Sequence, residues 1–502
     1  MPPSSLTDQR RRWEARALSG LAGDIDAAME EARGEPSWSQ TLSLARSMLA
    51  GGAPVRAPRV SASDPAAPVA AALGVRASLL ALDLAAMEPA LSLSRRSASR
   101  DPLLSMLTSA WGALATTGDG ASALASAALA QKEAREAGRG ALLVDATALE
   151  ALAHLVSGAL EAGVTRARAA SRMAASEGIA PLTVTAHLVL ARARRLGGHP
   201  HLGAHVAASI AQHLGSACLA WAHWEQRLGV GHAASDGEVG DVLGRALQAA
   251  SAADRGAFED RRAELELTPL SAFAREDAVM LLELLDHRAP LVHAARWARG
   301  LEDAVPAGLD GAHEGLGAAA FVLVRPGAPG RRIVSAGVPL AISETSARMV
   351  APAEAQLRTD SAIAQLLLHG ADGVRVDELF ARLYGFPLVE RHRGVLRVLL
   401  HRVRQRAPGL RLERVGDRLR LDVDAPMLVP DPRCARPDAG LLSLAARLGV
   451  VGPRDLAELG VPLRRAQESL RRLADAGILS IHPASRGVAY VLEDTTFTAP
   501  TP

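Results

Sequence analysis

Residues Val389–Arg406 read VERHRGVLRVLLHRVRQR. Wound at 3.6 residues per turn, Leu396, Leu400 and Val403 fall on one side. Arg393, Arg397, His401 and Arg404 fall on a neighbouring one, at spacings of four, four and three. Side chains three and four apart stack along a helix surface. The spacing predicts one amphipathic helix over 389–406 that buries an aliphatic stripe and carries a cationic stripe beside it. A short helical stretch, Val376–Leu383, precedes it. Behind it, Leu410–Leu421 alternates apolar and charged residues around Gly416-Asp417, the pattern of a tight hairpin.

Further upstream, Ala319–Val324, Arg332–Ser335 and Val338–Ile342 read as short strands and Ser361–His369 as a helix. Strands, three helices and a hairpin in that order resemble the DNA-binding domain of OmpR-type regulators, over about residues 319–421. The residues that carry the resemblance are DELFARLYGFP (377–387), VLRVLLHRVRQRAPG (395–409) and LRLERVGDRLRL (410–421). It implies a winged helix–turn–helix whose third helix enters a DNA major groove. On that reading Arg391, His392, Arg393 and Arg397, near the start of the helix, are expected to read bases, because arginine can bond a guanine edge in bidentate fashion. His401 and Arg404 continue the DNA-facing stripe, while Arg418 and Arg420 on the wing are expected to touch phosphate.

A proline-rich stretch, Asp424–Pro437, reads as a linker to a second unit. LLSLAARLG (441–449) and GPRDLAELG (452–460) are its expected first helices, Gly460–Pro462 a turn, and Leu463–Ala476 its third helix. Ile478–Ile481 and Val488–Leu492 flank a wing at Pro483–Gly487. This unit resembles the winged helices of many bacterial repressors. Ala466, Leu470 and Leu473 fit a core stripe. Arg464, Gln467 and Arg471 share the outward face, with Arg486 on the wing as a further candidate DNA contact. Glu468 sits among them and would repel phosphate, and winged helices also serve as protein-binding modules. Both readings stay open for this unit.

The N-terminal part is helical in pattern. Residues 7–50 suggest two helices, followed by a Pro/Ala/Gly-rich loop at roughly 51–70. Helices are expected at Leu103–Thr116, Ser122–Ala137, Leu142–Val156, Ala162–Ser176, Leu182–Leu196 and Leu202–Leu214. Gly118, Gly138, Gly158, Gly178, Gly198 and Gly215 punctuate them, as residues suited to a left-handed helix end. Val239–Ser251, Arg255–Leu265, Ala272–Leu285 and Leu291–Arg299 continue the series. Segments 134–158 and 174–198 resemble each other 40 residues apart, one helical hairpin per period. They resemble tetratricopeptide-like repeats, which implies an α-solenoid. The expected division is therefore 1–74 for the N-terminal helices and loop, 75–305 for a tetratricopeptide-like region, 318–423 for the first winged helix and 438–497 for the second. The expected fold class is mainly α, a solenoid followed by two α+β winged-helix domains.

Composition sets the outer limits. Hydrophobic residues make up 49% of the 502 and aromatics only 3%, so the apolar content is mostly Ala, Leu and Val, which favours helix. The net charge of +2 is too small to argue for nucleic acid. From Ala351 onward, however, 22 arginines face 18 acidic residues. Two distant cysteines, Cys218 and Cys434, suggest no disulfide framework, no signal sequence is visible, and no long uncharged apolar stretch occurs; a cytoplasmic location is expected. The only lysine is Lys132, which excludes a P-loop. No catalytic constellation stands out, so neither an enzyme nor a cofactor is expected, and Trp221 and Trp224 are expected to pack between helices. The expected partners are double-stranded DNA and, through the helical region, a protein or a second copy of the chain. The alternative is a protein-interaction scaffold whose winged helices bind no DNA.

Overall fold

The computed structural model describes residues 5–50, 60–177, 179–196, 200–230, 242–246, 249, 254–286, 320–324, 326–327, 331–334, 354–384, 386–406, 409–424, 427–430, 450–458, 462–475, 479–484 and 487–492. The expected strand at Val338–Ile342, the helices at Leu291–Arg299 and 441–449, most of Val239–Ser251 and the candidate contact Arg486 lie outside them. The chain is mainly helical, with small antiparallel sheets toward its C-terminus.

Residues 6–47 form three helices, not two: α1 (Leu6–Ser19), α2 (Ala22–Glu31) and α3 (Pro36–Ser47). Pro36 explains the extra break, since proline is welcome in a first helical turn and unwelcome inside a helix. The series continues with α4 (Ala67–Leu80), α5 (Met87–Ser97), α6 (Pro102–Thr117), α7 (Gly120–Glu136), α8 (Gly140–Val156), α9 (Leu160–Glu177), α10 (Val184–Leu196), α11 (Pro200–Ala211), α12 (Ala220–Val230), α13 (Arg255–Leu267) and α14 (Ala272–Asp286). Local chemistry sets the joints. Asp101 caps α6 by accepting the Leu104 N–H at 3.0 Å, Gly118 ends it at φ +72°, and Asp119 caps α7 by accepting the Ser122 N–H at 3.0 Å. Gly215 differs from the pattern. It is not left-handed, and its N–H donates to the Met48 carbonyl at 3.0 Å.

Two rows of helices result. α5, α7, α9 and α11 lie between members of an inner row, α4, α6, α8, α10 and α12, which touch one another in that order. The inner row then closes, because α12 returns to α4. Residues 48–50 seal the joint against 213–215, through the Leu49–Leu214 bridge and the Ala50 N–H to the His213 carbonyl at 2.9 Å. Trp13 near one end and Leu282 near the other belong to a single hydrophobic core. The described residues of 1–74 and of 75–305, up to Leu282, separate in the sequence reading, thus share one interior. The inner helices are buried on nearly every side: in α4, Ala67–Leu73 and Val75–Leu80 are all buried. The outer α7 buries only a stripe, Gly120, Ala123, Ala127, Ala130 and Ala134.

Toward the C-terminus, β1 (Ala320–Val324) and β2 (Arg331–Val334) pair antiparallel. Next come α15 (Glu354–His369), β3 (Val374–Arg375), α16 (Val376–Tyr384), α17 (Arg393–Arg406), β4 (Leu410–Val415), β5 (Arg418–Val423) and β6 (Met427–Pro430). One sheet has the order β2-β1-β6 and the next β3-β5-β4. The 424–437 stretch is therefore not all linker, since Met427–Pro430 is a strand whose Met427 and Leu428 pair with Val324 and Leu323. Helix α17 is also shorter than expected. Val389 is extended, Glu390–His392 form a 3₁₀ turn, and the α-helix begins at Arg393. The last unit holds β7 (Val450–Val451), α18 (Pro453–Glu458), α19 (Leu463–Asp475), β8 (Leu479–Ala484) and β9 (Gly487–Leu492), in sheet order β7-β9-β8. Its core is Val451, Leu456, Ala466, Leu470, Leu473, Leu479 and Tyr490, joined by Leu202 of α11.

Candidate nucleic-acid interface

The candidate interface rests on an apolar core under α17. Ile363, Leu366 and Leu367 of α15, Leu379 and Phe380 of α16, Leu396, Leu399 and Val403 of α17, and Leu419, Leu421 and Val423 of β5 pack together. The expected inward stripe thus turns slightly: Leu399 is 3% exposed, while Leu400 sits at the edge. With that face committed to the core, the rest of the helix surface carries Arg393, Arg397, His401 and Arg404 along one side and Arg402 on the other, all exposed. Arg397, Arg402 and Arg404 have no carboxylate partner among the described residues. Arg393 is tethered, its Nη2 lying 2.9 Å from Glu390 Oε2, with both groups well exposed. Arg402 was absent from the sequence stripe, because it lies one residue past His401 and off the three-and-four spacing used to find the others.

His392 is placed differently from its neighbours. It is half-buried at the corner between α16 and α17, where its ring stacks with Phe380 at 5.6 Å between centroids and lies 4.9 Å from Phe386. Phe380 also stacks on Tyr384 at 4.4 Å. In a chain with six phenylalanines and two tyrosines, three of those eight meet at this one corner, which fixes the angle between the two helices. Arg391 donates from Nε to His392 Nε2 at 3.2 Å, so the pair can aim Arg391 outward only as the corner allows.

On the hairpin, β4 and β5 pair from Leu410↔Val423 to Val415↔Arg418. Gly416, at φ +65°, takes the first turn position, as a two-residue hairpin requires. Arg418 is exposed, but its Nη1 donates to the carbonyls of Asp372 at 3.0 Å and Gly373 at 3.2 Å. It pins the hairpin to the turn before α16. Arg420, half-buried, lies over Gly373, where an added Cβ would come within 2.8 Å of the Arg420 side chain and 2.7 Å of the Leu419 carbonyl. Sequence reasoning missed Arg414, which is exposed near the hairpin tip with its Nε donating to the Gly416 carbonyl at 3.1 Å.

In the last unit Ala466, Leu470 and Leu473 point inward and Arg464, Gln467 and Arg471 outward, as spacing predicted. Arg464 Nε lies 3.2 Å from Glu468 Oε1, one turn along the same face. The carboxylate therefore lies within the cationic stripe.

Other polar groups lie inside the helical body, buried except for a partly exposed Asp277. Trp221 and Trp224 pack between helices as expected, and each Nε1 donates to a carboxylate, Glu225 and Asp277 respectively, at 3.2 Å. Arg192 and Arg195 complete that cluster. Arg195 Nε lies 2.6 Å from Glu225, and its Nη2 lies 2.9 Å from Asp277. Burial alone would push the Asp277 carboxyl up, but the two guanidinium charges, with hydrogen bonds from Arg192 and Trp224, bring it down to about 2. A second buried pair joins Arg76 to Asp145. There burial outweighs the single arginine, and the carboxyl is raised. Ser171 and His187, both buried, share a 2.9 Å hydrogen bond, and burial lowers the imidazole to about 3. Burial likewise pushes the Cys218 thiol up to about 12.

Among the described residues no helix is long and apolar enough to cross a membrane. No known family, no curated protein and no solved structure matches this chain.

Proposed function

We propose that this chain is a DNA-binding transcriptional regulator acting in the cytoplasm, with residues 320–430 as its principal DNA-binding unit. The observation that supports this most directly is the exposed face of α17. Arg397, Arg402 and Arg404 stand on its solvent side without carboxylate partners among the described residues, while the remaining face is fixed in a core. Duplex DNA supplies both the phosphates and the guanine edges that such a face could engage. In this reading α16 and α17 act as a helix–turn–helix, and the β4–β5 hairpin is its wing. The helical body would act as a tetratricopeptide-like region that receives a signal, a protein partner or a second copy of the chain, with no catalytic step and no cofactor.

The last unit supports a different role. The Arg464–Glu468 pair lowers the positive potential of its outward face, which favours protein contact there over DNA contact. The first unit's role can be tested directly. The full chain is incubated with a random-sequence duplex library, and the enriched sequences are titrated. The double variant Arg393→Ala/Arg397→Ala should bind them more weakly by an order of magnitude or more, since a good bidentate base contact is worth about 1–3 kcal/mol. Helical content should stay the same, because neither residue is in the core. An unchanged midpoint for the double variant would overturn the assignment, and failure to enrich any sequence would favour the scaffold reading.

A further inference from the structure

The outward face of α17 holds more than arginine. Val395 and Val398 are 44% and 49% exposed. Gly394 is exposed beside them, and a Cβ placed on it would meet no atom within 4 Å. Gly394 and Val398 lie one turn apart, Val395 sits next to them, and Arg402 lies one turn beyond Val398. Arg397 and His401 border the same patch on its other side.

These three residues are poor choices for the helix itself. Glycine and valine are both weaker helix formers than alanine. The fold asks for neither, because space is open over Gly394 and the core is filled by Leu396, Leu399 and Val403. Local choices that run against the folded state tend to mark functional surface. Here they make a shallow apolar notch: glycine lets an outside surface approach the backbone, and two isopropyl groups line the floor. Arg397 and Arg402, without carboxylate partners among the described residues, flank it. An apolar protein partner would strip water from Arg397, Arg402 and Arg404 without supplying counter-charges. The DNA major groove combines anionic phosphates, guanine acceptors and one exposed apolar group, the C5-methyl of thymine.

We infer that Gly394, Val395 and Val398 form a specificity element that seats thymine methyl groups beside the guanines taken by the neighbouring arginines. The inference rests on the DNA-binding reading above and names its preferred duplex chemistry, thymine next to guanine.

The test uses the full chain and duplexes enriched from a random library, each then resynthesised with deoxyuridine in place of thymidine, which removes only the methyl groups. The parent should bind the uridine version more weakly, about four-fold for each methyl seated. The double variant Val395→Ala/Val398→Ala should bind the two versions alike. Arg397→Ala should weaken both and keep their ratio. Gly394→Ala should raise thermal stability and still bind more weakly, a combination that a purely structural glycine would not give. Equal binding of thymidine and uridine duplexes by the parent, or a ratio retained in the valine double variant, would overturn the specificity element and leave DNA binding standing. If no duplex is enriched at all, the DNA-binding reading falls and the inference falls with it.

Discussion

Arginine serves opposite purposes in two regions of this molecule. In the helical body Arg76, Arg192 and Arg195 are almost completely buried, each against a carboxylate. Arg192 also lies over the Phe273 ring at 5.0 Å and donates to the Phe273 carbonyl at 3.1 Å. On α17, Arg397, Arg402 and Arg404 are exposed, with no carboxylate partner among the described residues. A buried arginine with its counter-charge is invisible from outside. An exposed one sets the local field. The chain's near-neutral total therefore says little about what any face attracts, and only the positions of the carboxylates tell the two uses apart.

Removing a buried arginine should have the largest effect. Arg195→Ala leaves Glu225 and Asp277 with one arginine between them in a dry interior, and breaking such a cluster costs about 3–5 kcal/mol. Chemical denaturation should show the loss as a lower midpoint at constant slope. A change comparable to that of the exposed Arg397→Ala, expected within about 0.5 kcal/mol, would erase the contrast between the regions. Next in size is the core under the exposed face. Leu399→Ala should cost about 2–5 kcal/mol and clearly more than Leu400→Ala. The reverse order would mean that α17 is rotated, and that its outward residues are wrongly identified.

Acid sharpens the comparison within the body. The Asp277 carboxyl is lowered to about 2 from an ordinary aspartate value near 3.8. Its contribution to stability is therefore present above about pH 4 and is lost as pH falls toward 2, about 2 kcal/mol in all. Asp145 is raised instead, so it contributes with the opposite sign and gives no acid loss of its own. Asp277→Asn, weaker at neutral pH, should lose less stability than the parent between pH 4 and pH 2.5. Equal losses would place the acid-sensitive groups elsewhere. The smallest effect is expected from the exposed pair of the last unit, where Arg464→Ala should leave the melting midpoint unchanged and Leu470→Ala should lower it markedly.

Much of this was readable from residue order, where the deciding interactions are local. Glycine at helix joints, the hairpin at Gly416-Asp417 and the inward triplet Ala466, Leu470, Leu473 all depend on residues a few positions apart. What escaped depends on distant partners. Met427–Pro430 reads as linker because its strand partner lies about a hundred residues upstream. Arg76 and Asp145 are 69 residues apart, and Arg192 and Asp277 are 85 apart. Spacing along a helix cannot show that an arginine at the end of α10 is walled in on every side. On α17 the arginine stripe was legible, but Arg402 and the Gly394–Val398 notch were not, since no periodic rule selects for exposed valines.

The joint between residues 48–50 and 213–215 also bears on how the protein is made. The first three helices leave the ribosome long before the segment that completes their packing. At roughly 5–20 residues per second, the roughly 165 residues between Ala50 and Gly215 take on the order of ten to thirty seconds to synthesise. During that interval Trp13, Trp38, Leu42 and Met48, all buried in the finished body, have no complete core to enter. A nascent chain of this design would present these apolar helices to whatever protects them, and protection should end only after α12 has followed Gly215 out and returned to α4 to close the ring.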